Sequence, residues 1–272
     1  MSMQRIADWD DAYSNIAHIP GGEDFIPRWE DDAAAFRKQV ICDLDVAYGS
    51  GDREKYDLFH PSGPSKGLLF FVHGGYWLRF DKSFWSHFAT GALAKDYHVC
   101  MPSYPLCPDV EIGDILVSAR SALEQCASQV SGPIYLCGHS AGGQIVTMLT
   151  CTNHGPVTSV AERIERTVSI AGVHDLRPLL NTELNERLKL TPQKATQWSP
   201  ALSQPVENAD VVCWVGIDER PEFIRQNQLL SNIWIGLGSV TSCVEEAGRH
   251  HFDVIDGLRD PHSPLIRAIF KD

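Results

Sequence analysis

The chain has 272 residues, 43% of them hydrophobic, and carries 23 Lys and Arg against 35 Asp and Glu, a formal net charge of −12. That length suits one large domain, at most with a cap, and the acidic balance argues against nucleic acid and anionic membranes as partners. Eight cysteines with no Cys-x-x-Cys spacing, and eleven histidines with no His-Glu-x-x-His, point to a reducing, cytoplasmic setting and away from a catalytic metal.

Residues 1–40 are polar, with Trp9, Tyr13, Phe25 and Trp29 scattered among them. They read as an N-terminal arm with a helix near 29–39, and the arm's acids and lack of an apolar stretch are unlike a signal peptide. Residues 40–48 and 55–59 alternate as two strands of a hairpin around the turn Gly49-Ser50-Gly51-Asp52. Residues 68–72 (LLFFV) form a short apolar run, expected to be a buried parallel strand. A helix is expected over 84–95, a strand over 97–101, and a helix over 111–130. In that helix Ile112, Ile115, Leu116, Ala119, Leu123, Cys126 and Val130 share a face. No charge occurs between Glu124 and Glu162, but three Gly/Pro-containing turns break that stretch, so it reads as the most buried unit of the domain rather than a membrane span. A strand over 133–137 and a helix over 144–152 follow, then a strand over 167–171. Residues 174–204, with Pro178, Pro192 and Pro200, read as a cap-like insertion. Strand 211–217, helix 221–235, strand 240–245 and a mostly helical 252–270 complete the alternation. The expected fold is a single α/β domain with a doubly wound, mostly parallel sheet and an antiparallel start.

Residues 138–142 read Gly-His-Ser-Ala-Gly, between a strand and a helix. This is G-x-S-x-G in the context that makes it a nucleophile elbow. At average composition a chain of this length shows the pattern by accident about 0.1 times. Ser140 is therefore the candidate nucleophile. Such a serine needs a base to take its proton and an acid to orient the base, in the chain order Ser, Asp or Glu, His. Asp218, first past a strand, is the favoured acid, with Glu219 and Glu222 as rivals. His251 is the favoured base over its neighbour His250. His139, inside the elbow, reads as packing under the turn. His73-Gly74-Gly75-Tyr76-Trp77 follows the third strand, where this architecture places an oxyanion hole. Its candidate donors are the amides of Gly75 and Tyr76, together with that of Ala141.

These motifs resemble a named family. HGGYW at 73–77 with Lys82 and Ser83, GHSAGG at 138–143, AGVHDLRPL at 171–179, WSP at 198–200, DERPEF at 218–223 and HFDVID at 251–256 look like the arylformamidases (kynurenine formamidases) of the α/β-hydrolase superfamily. The resemblance spans nearly the whole chain. It implies cofactor-free hydrolysis of N-formyl-L-kynurenine to L-kynurenine and formate, by a triad of Ser140, Asp218 and His251. It also implies a small-molecule aromatic partner, for which Tyr76, Trp77 and Trp198 are candidate stacking residues. Two rival readings stand beside it: a carboxylesterase acting on small acyl esters, and a hydrolase-fold protein that binds a ligand without turning it over. The oligomeric state, a homodimer included, stays open.

Overall fold

The computed structural model describes residues 6–272; the first five residues of the expected N-terminal arm lie outside them. Eight strands form one sheet: β1 (Cys42–Ala47), β2 (Lys55–Phe59), β3 (Gly67–Val72), β4 (Tyr97–Pro102), β5 (Ile134–His139), β6 (Ile164–Ile170), β7 (Asp210–Gly216) and β8 (Val240–Glu246). Their order is β1-β2-β4-β3-β5-β6-β7-β8. The first two pairings are antiparallel and the rest parallel, as the alternation of elements implied. β3 and β5 are buried along their whole length, which is why both read as apolar runs without alternation.

The helices are α1 (Trp9–Tyr13), α2 (Phe25–Arg37), α3 (Thr90–Ala94), α4 (Ile112–Gln129), α5 (Ala141–Leu149), α6 (Thr158–Ala161), α7 (Asn185–Leu188), α8 (Pro192–Gln197), α9 (Pro221–Ile235) and α10 (Pro264–Phe270). α2 begins four residues earlier than expected, because Pro27 falls in the first turn, where its missing N–H costs nothing. α5 starts immediately after Ser140 rather than at Gln144. The helix expected over 84–95 is broken into 3₁₀ turns at Lys82–Phe84 and Ser86–Ala89 before α3. Large rings explain the break: Trp85 and Phe88 are both buried, and 3₁₀ turns let them pack together at 6.2 Å between centroids. The expected helix over 252–270 is likewise a 3₁₀ turn (Asp256–Arg259) followed by α10. Pro261 intervenes, and Ser263 opens α10 by accepting a hydrogen bond from the Ile266 amide, with Pro264 at the first helical position.

Residues 174–204, between β6 and β7, hold α7, α8 and two 3₁₀ turns and no strand. Beneath the antiparallel edge, Lys82 Nζ is buried between Asp57, at 2.7 Å, and Asp45, at 2.8 Å. That pairing holds the segment after β3 against β2. No helix among the described residues is long and apolar enough to cross a membrane.

Candidate active site

Sheet register assembles the site. Val72 pairs with Gly138 across β3 and β5, which sets the loop after β3 beside the turn after β5. Gly216 pairs with Glu246 at the ends of β7 and β8, which brings together the loops carrying Glu219 and His251.

Ser140 has φ 55° and ψ −117°, a conformation rarely adopted by a residue with a side chain. Strain of this kind costs about 1–3 kcal/mol and persists only where the surroundings impose it. Here a Cβ at Gly138 would lie 2.2 Å from the Gly142 carbonyl oxygen, and one at Gly142 would lie 2.0 Å from that of Val72. Only glycines allow strand, turn and helix to approach so closely. Ser140 Oγ makes no hydrogen bond among the described residues. It lines a cavity of about 450 Å³ together with His139, His251, Gly75 and Tyr76.

His251 lines the same cavity as Ser140, and the carboxylate beside its ring is Glu219. His251 Nδ1 lies 2.7 Å from Glu219 Oε2, and the two side chains are 4% and 0% exposed. The second carboxylate oxygen accepts the Gly216 N–H at 3.1 Å. Asp218 is exposed, and its own amide donates to the Arg249 carbonyl. The expectation that Asp218 would orient the base is therefore corrected. β7 ends at Gly216, one residue earlier than read. The turn that follows points Asp218 to solvent and folds Glu219 back beneath the strand end, where its longer side chain reaches the imidazole. Glu222, the other rival, is bound by Arg225 through two hydrogen bonds of 2.7 Å and by the Tyr13 hydroxyl at 2.9 Å. His250 turns away: its Nδ1 sits 3.1 Å from Asp253 Oδ1 and its ring lies against Phe25.

The candidate oxyanion loop has consecutive left-handed residues, Tyr76 at φ 54° and Trp77 at φ 58°, after Gly75 at φ 113°. Among the described residues no protein acceptor takes the amides of Gly75, Tyr76 or Ala141. Of the three candidate stacking residues, only Tyr76 lines the cavity. Trp77 is fully buried, and its Nε1–H donates to Gln144 Oε1 at 3.1 Å. Trp198 packs over Gly113 of α4 and against His154. Both correct the expectation: these rings serve packing, and neither faces the cavity.

Sequence reading missed much of the cavity wall. Tyr13, Ile16 and Trp29 come from the first 40 residues, and Leu184 and Arg187 from the segment between β6 and β7. The only trace in the sequence was the scatter of aromatic residues through a polar segment. His139 was expected merely to pack. Its Nε2–H donates to the His251 carbonyl at 2.9 Å, so it also ties the elbow to the histidine loop.

Burial sets the electrostatics. It pushes the His251 imidazole down to about 3, with further repulsion from His250. The resting ring is neutral, with Nε2 ready to accept a proton. Burial also pushes the Glu219 carboxyl upward, while the Gly216 amide and the His251 Nδ1–H at 2.7 Å oppose it by favouring the carboxylate. Desolvation lowers His73 and His87 to about 4, His174 to about 3, and His139 well below its ordinary value.

His73, His87, His139 and His174 predict the acid sensitivity of the fold. Below the ordinary histidine value, about 6.5, the unfolded chain takes up protons that the folded chain refuses. Their contribution to stability is thus complete above that pH and drains as pH falls toward 3–4. Each adds a slope of up to about 1.4 kcal/mol per pH unit. Thermal unfolding should show a midpoint at least 10 °C lower at pH 5.5 than at pH 7.5, on the usual scaling of about 2–4 °C per kcal/mol for a chain somewhat shorter than this one. A flat profile would refute the assignment of these histidines as neutral in the fold.

Among the described residues no three His, Cys, Asp or Glu side chains converge as a metal site would need.

Comparison with known proteins agrees with this fold. Residues 69–252 match the model of the alpha/beta hydrolase family. The kynurenine formamidase of Danio rerio is 31% identical over 239 residues, covering 84% of this chain and 80% of that protein. That of Drosophila melanogaster is 26% identical over 250 residues, covering 85% and 82%. A crystal structure of a Silicibacter sp. TM1040 protein, described only provisionally as a thioesterase, is 44% identical, with a TM-score of 0.93 over 97% of this chain and 99% of that one. Esterase B of Lactobacillus rhamnosis shares the fold alone, at 14% identity and a TM-score of 0.69 over 92% and 93% of the two chains.

Proposed function

The chain belongs to the kynurenine formamidases of the α/β-hydrolase family, and from that premise we propose that it hydrolyses N-formyl-L-kynurenine to L-kynurenine and formate with a Ser140–His251–Glu219 triad. The observation that carries the reading is the buried His251–Glu219 pair, at 2.7 Å, in the wall of the cavity into which the strained Ser140 opens.

The chemistry follows from the groups present. His251 Nε2 takes the Ser140 proton as Oγ attacks the formyl carbon. Glu219 holds the Nδ1 proton, fixing the tautomer and stabilising the imidazolium. The oxyanion meets the amides of Tyr76 and Ala141, with Gly75 beside them. One such donor is worth roughly 3–4 kcal/mol in transition-state stabilisation. His251 then passes its proton to the aryl nitrogen, the C–N bond breaks, and the arylamine leaves. Water, deprotonated by the same imidazole, hydrolyses the formyl-serine, and formate departs. No cofactor enters any step. The formyl group is small enough for a narrow hole, while the aryl ring rests among Tyr76, Phe80 and the arm residues Tyr13 and Trp29. We place the protein in the cytoplasm, a reading supported by eight free cysteines, six of them buried.

The 44% identical Silicibacter protein favours a second reading, in which the same machinery cleaves acyl esters or thioesters. Kinetics on purified protein separate the two. The formamidase reading expects kcat/KM for N-formylkynurenine to exceed that for short p-nitrophenyl esters and thioesters. A higher value for the esters, with no formate released from N-formylkynurenine, would leave only the esterase reading.

A further inference from the structure

The oxyanion loop is held by a part of the chain that lies outside the matched hydrolase core. The Tyr76 hydroxyl donates to the backbone carbonyl of Tyr13 at the end of α1, and the Asn15 side-chain amide donates to the same hydroxyl at 3.4 Å. α1 is itself fixed. Tyr13 is 2% exposed. Its hydroxyl donates to Glu222 Oε1 at 2.9 Å, and Gln226 Nε2 donates to that hydroxyl at 3.1 Å. Glu222 and Gln226 both lie on α9, and Gln226 Oε1 accepts the amides of His174 and Asp175, at the start of the insertion. The arm, α9 and the residues after β6 are therefore linked in series, through the Tyr13 hydroxyl and Gln226, to the carbonyl that holds the Tyr76 phenol. On the loop's other flank, Trp77 Nε1–H donates to Gln144 of α5.

We propose that the Tyr76 hydroxyl is a positioning group: by anchoring to the N-terminal arm it holds the Tyr76 amide in the left-handed conformation that aims it at the oxyanion. Two consecutive left-handed residues with side chains do not hold that shape unaided. The amide and the phenol belong to the same residue, so releasing the phenol frees the donor to relax toward ordinary backbone geometry. The inference rests on the serine-hydrolase reading above.

Tyr76→Phe tests it, since the ring that lines the cavity stays and only the tether goes. Loss of a whole oxyanion donor costs about 10²–10³-fold in kcat, so a donor that is loosened rather than lost should cost about 10- to 100-fold. KM and inhibition by the arylamine product should stay within about threefold. The inhibition constant of an arylboronic acid, which binds Ser140 as a tetrahedral anion, should rise by the same factor as kcat falls. Tyr13→Phe, which unpins α1 from Glu222, should move the same two quantities in the same direction by less. An unchanged kcat in Tyr76→Phe overturns the proposal. So does a rise in KM and in product inhibition constant as large as the fall in kcat, because the hydroxyl would then only shape the pocket. If Tyr76→Phe fails to fold, Tyr13→Phe decides, and an unchanged boronate constant there overturns the proposal. Failure of the serine-hydrolase reading looks different: the boronic acid would then bind the unsubstituted protein no more tightly than the product does.

Discussion

Ser140→Ala should lower kcat by on the order of 10⁶-fold, the loss seen when a serine hydrolase is deprived of its nucleophile. The fold should survive, because alanine meets the same backbone demand at φ 55° and Ser140 Oγ makes no hydrogen bond among the described residues. Covalent labelling by a fluorophosphonate should disappear with the activity, while the circular dichroism spectrum and unfolding midpoint stay close to those of the unsubstituted protein. A variant that kept a tenth of the activity would show that the nucleophile lies elsewhere.

The second large effect separates two adjacent carboxylates. Glu219→Gln should cost roughly 10⁴-fold in kcat, the scale found when a triad acid becomes its amide. The glutamine carbonyl can still accept the Gly216 N–H that Glu219 accepts at 3.1 Å, so the turn remains intact. Its NH₂ would then face Nδ1 and donate to it. That forces the imidazole into the tautomer with its proton on Nε2, which cannot accept a proton from Ser140. Asp218→Asn should change kcat by less than about threefold, since that side chain is exposed and touches neither His251 nor the cavity. Parallel measurement of both variants decides the matter. A crippled Asp218→Asn beside an active Glu219→Gln would restore Asp218 as the acid.

The fold was legible because buried parallel strands announce themselves. LLFFV at 68–72 and PIYLC at 133–137 have no polar face to hide, and the glycines at 138 and 142 mark a turn where backbone must touch backbone. Motif and order nominated Ser140 and His251, and the structure sets both in the wall of one cavity. The carboxylate beside His251 was not legible, because choosing between Asp218 and Glu219 requires knowing the residue at which β7 ends, and strand ends are set by pairing with β8 rather than by local sequence. Trp77 and Trp198 were misread for a related reason. Aromatic rings beside a motif serve a ligand or the core equally well, and only the three-dimensional neighbours, Gln144 for one and Gly113 for the other, distinguish the two. The arm's share in the cavity was hidden because its contacts are long-range. Tyr13 reaches Glu222 across 209 positions of sequence, and nothing local to either residue records the partnership.

The tether on Tyr76 ends on a main-chain carbonyl, that of Tyr13. Every amino acid supplies that atom, so no point substitution at position 13 can delete it, although one can shift it. The neighbouring side chains that line the cavity, Asp10, Ser14, Asn15 and Ile16, carry no such protection. Mutational drift in this arm can therefore revise which molecules enter the cavity while the anchor of the catalytic loop is inherited through the backbone. Selectivity and rate, though served by the same few residues, are open to natural selection to very different degrees.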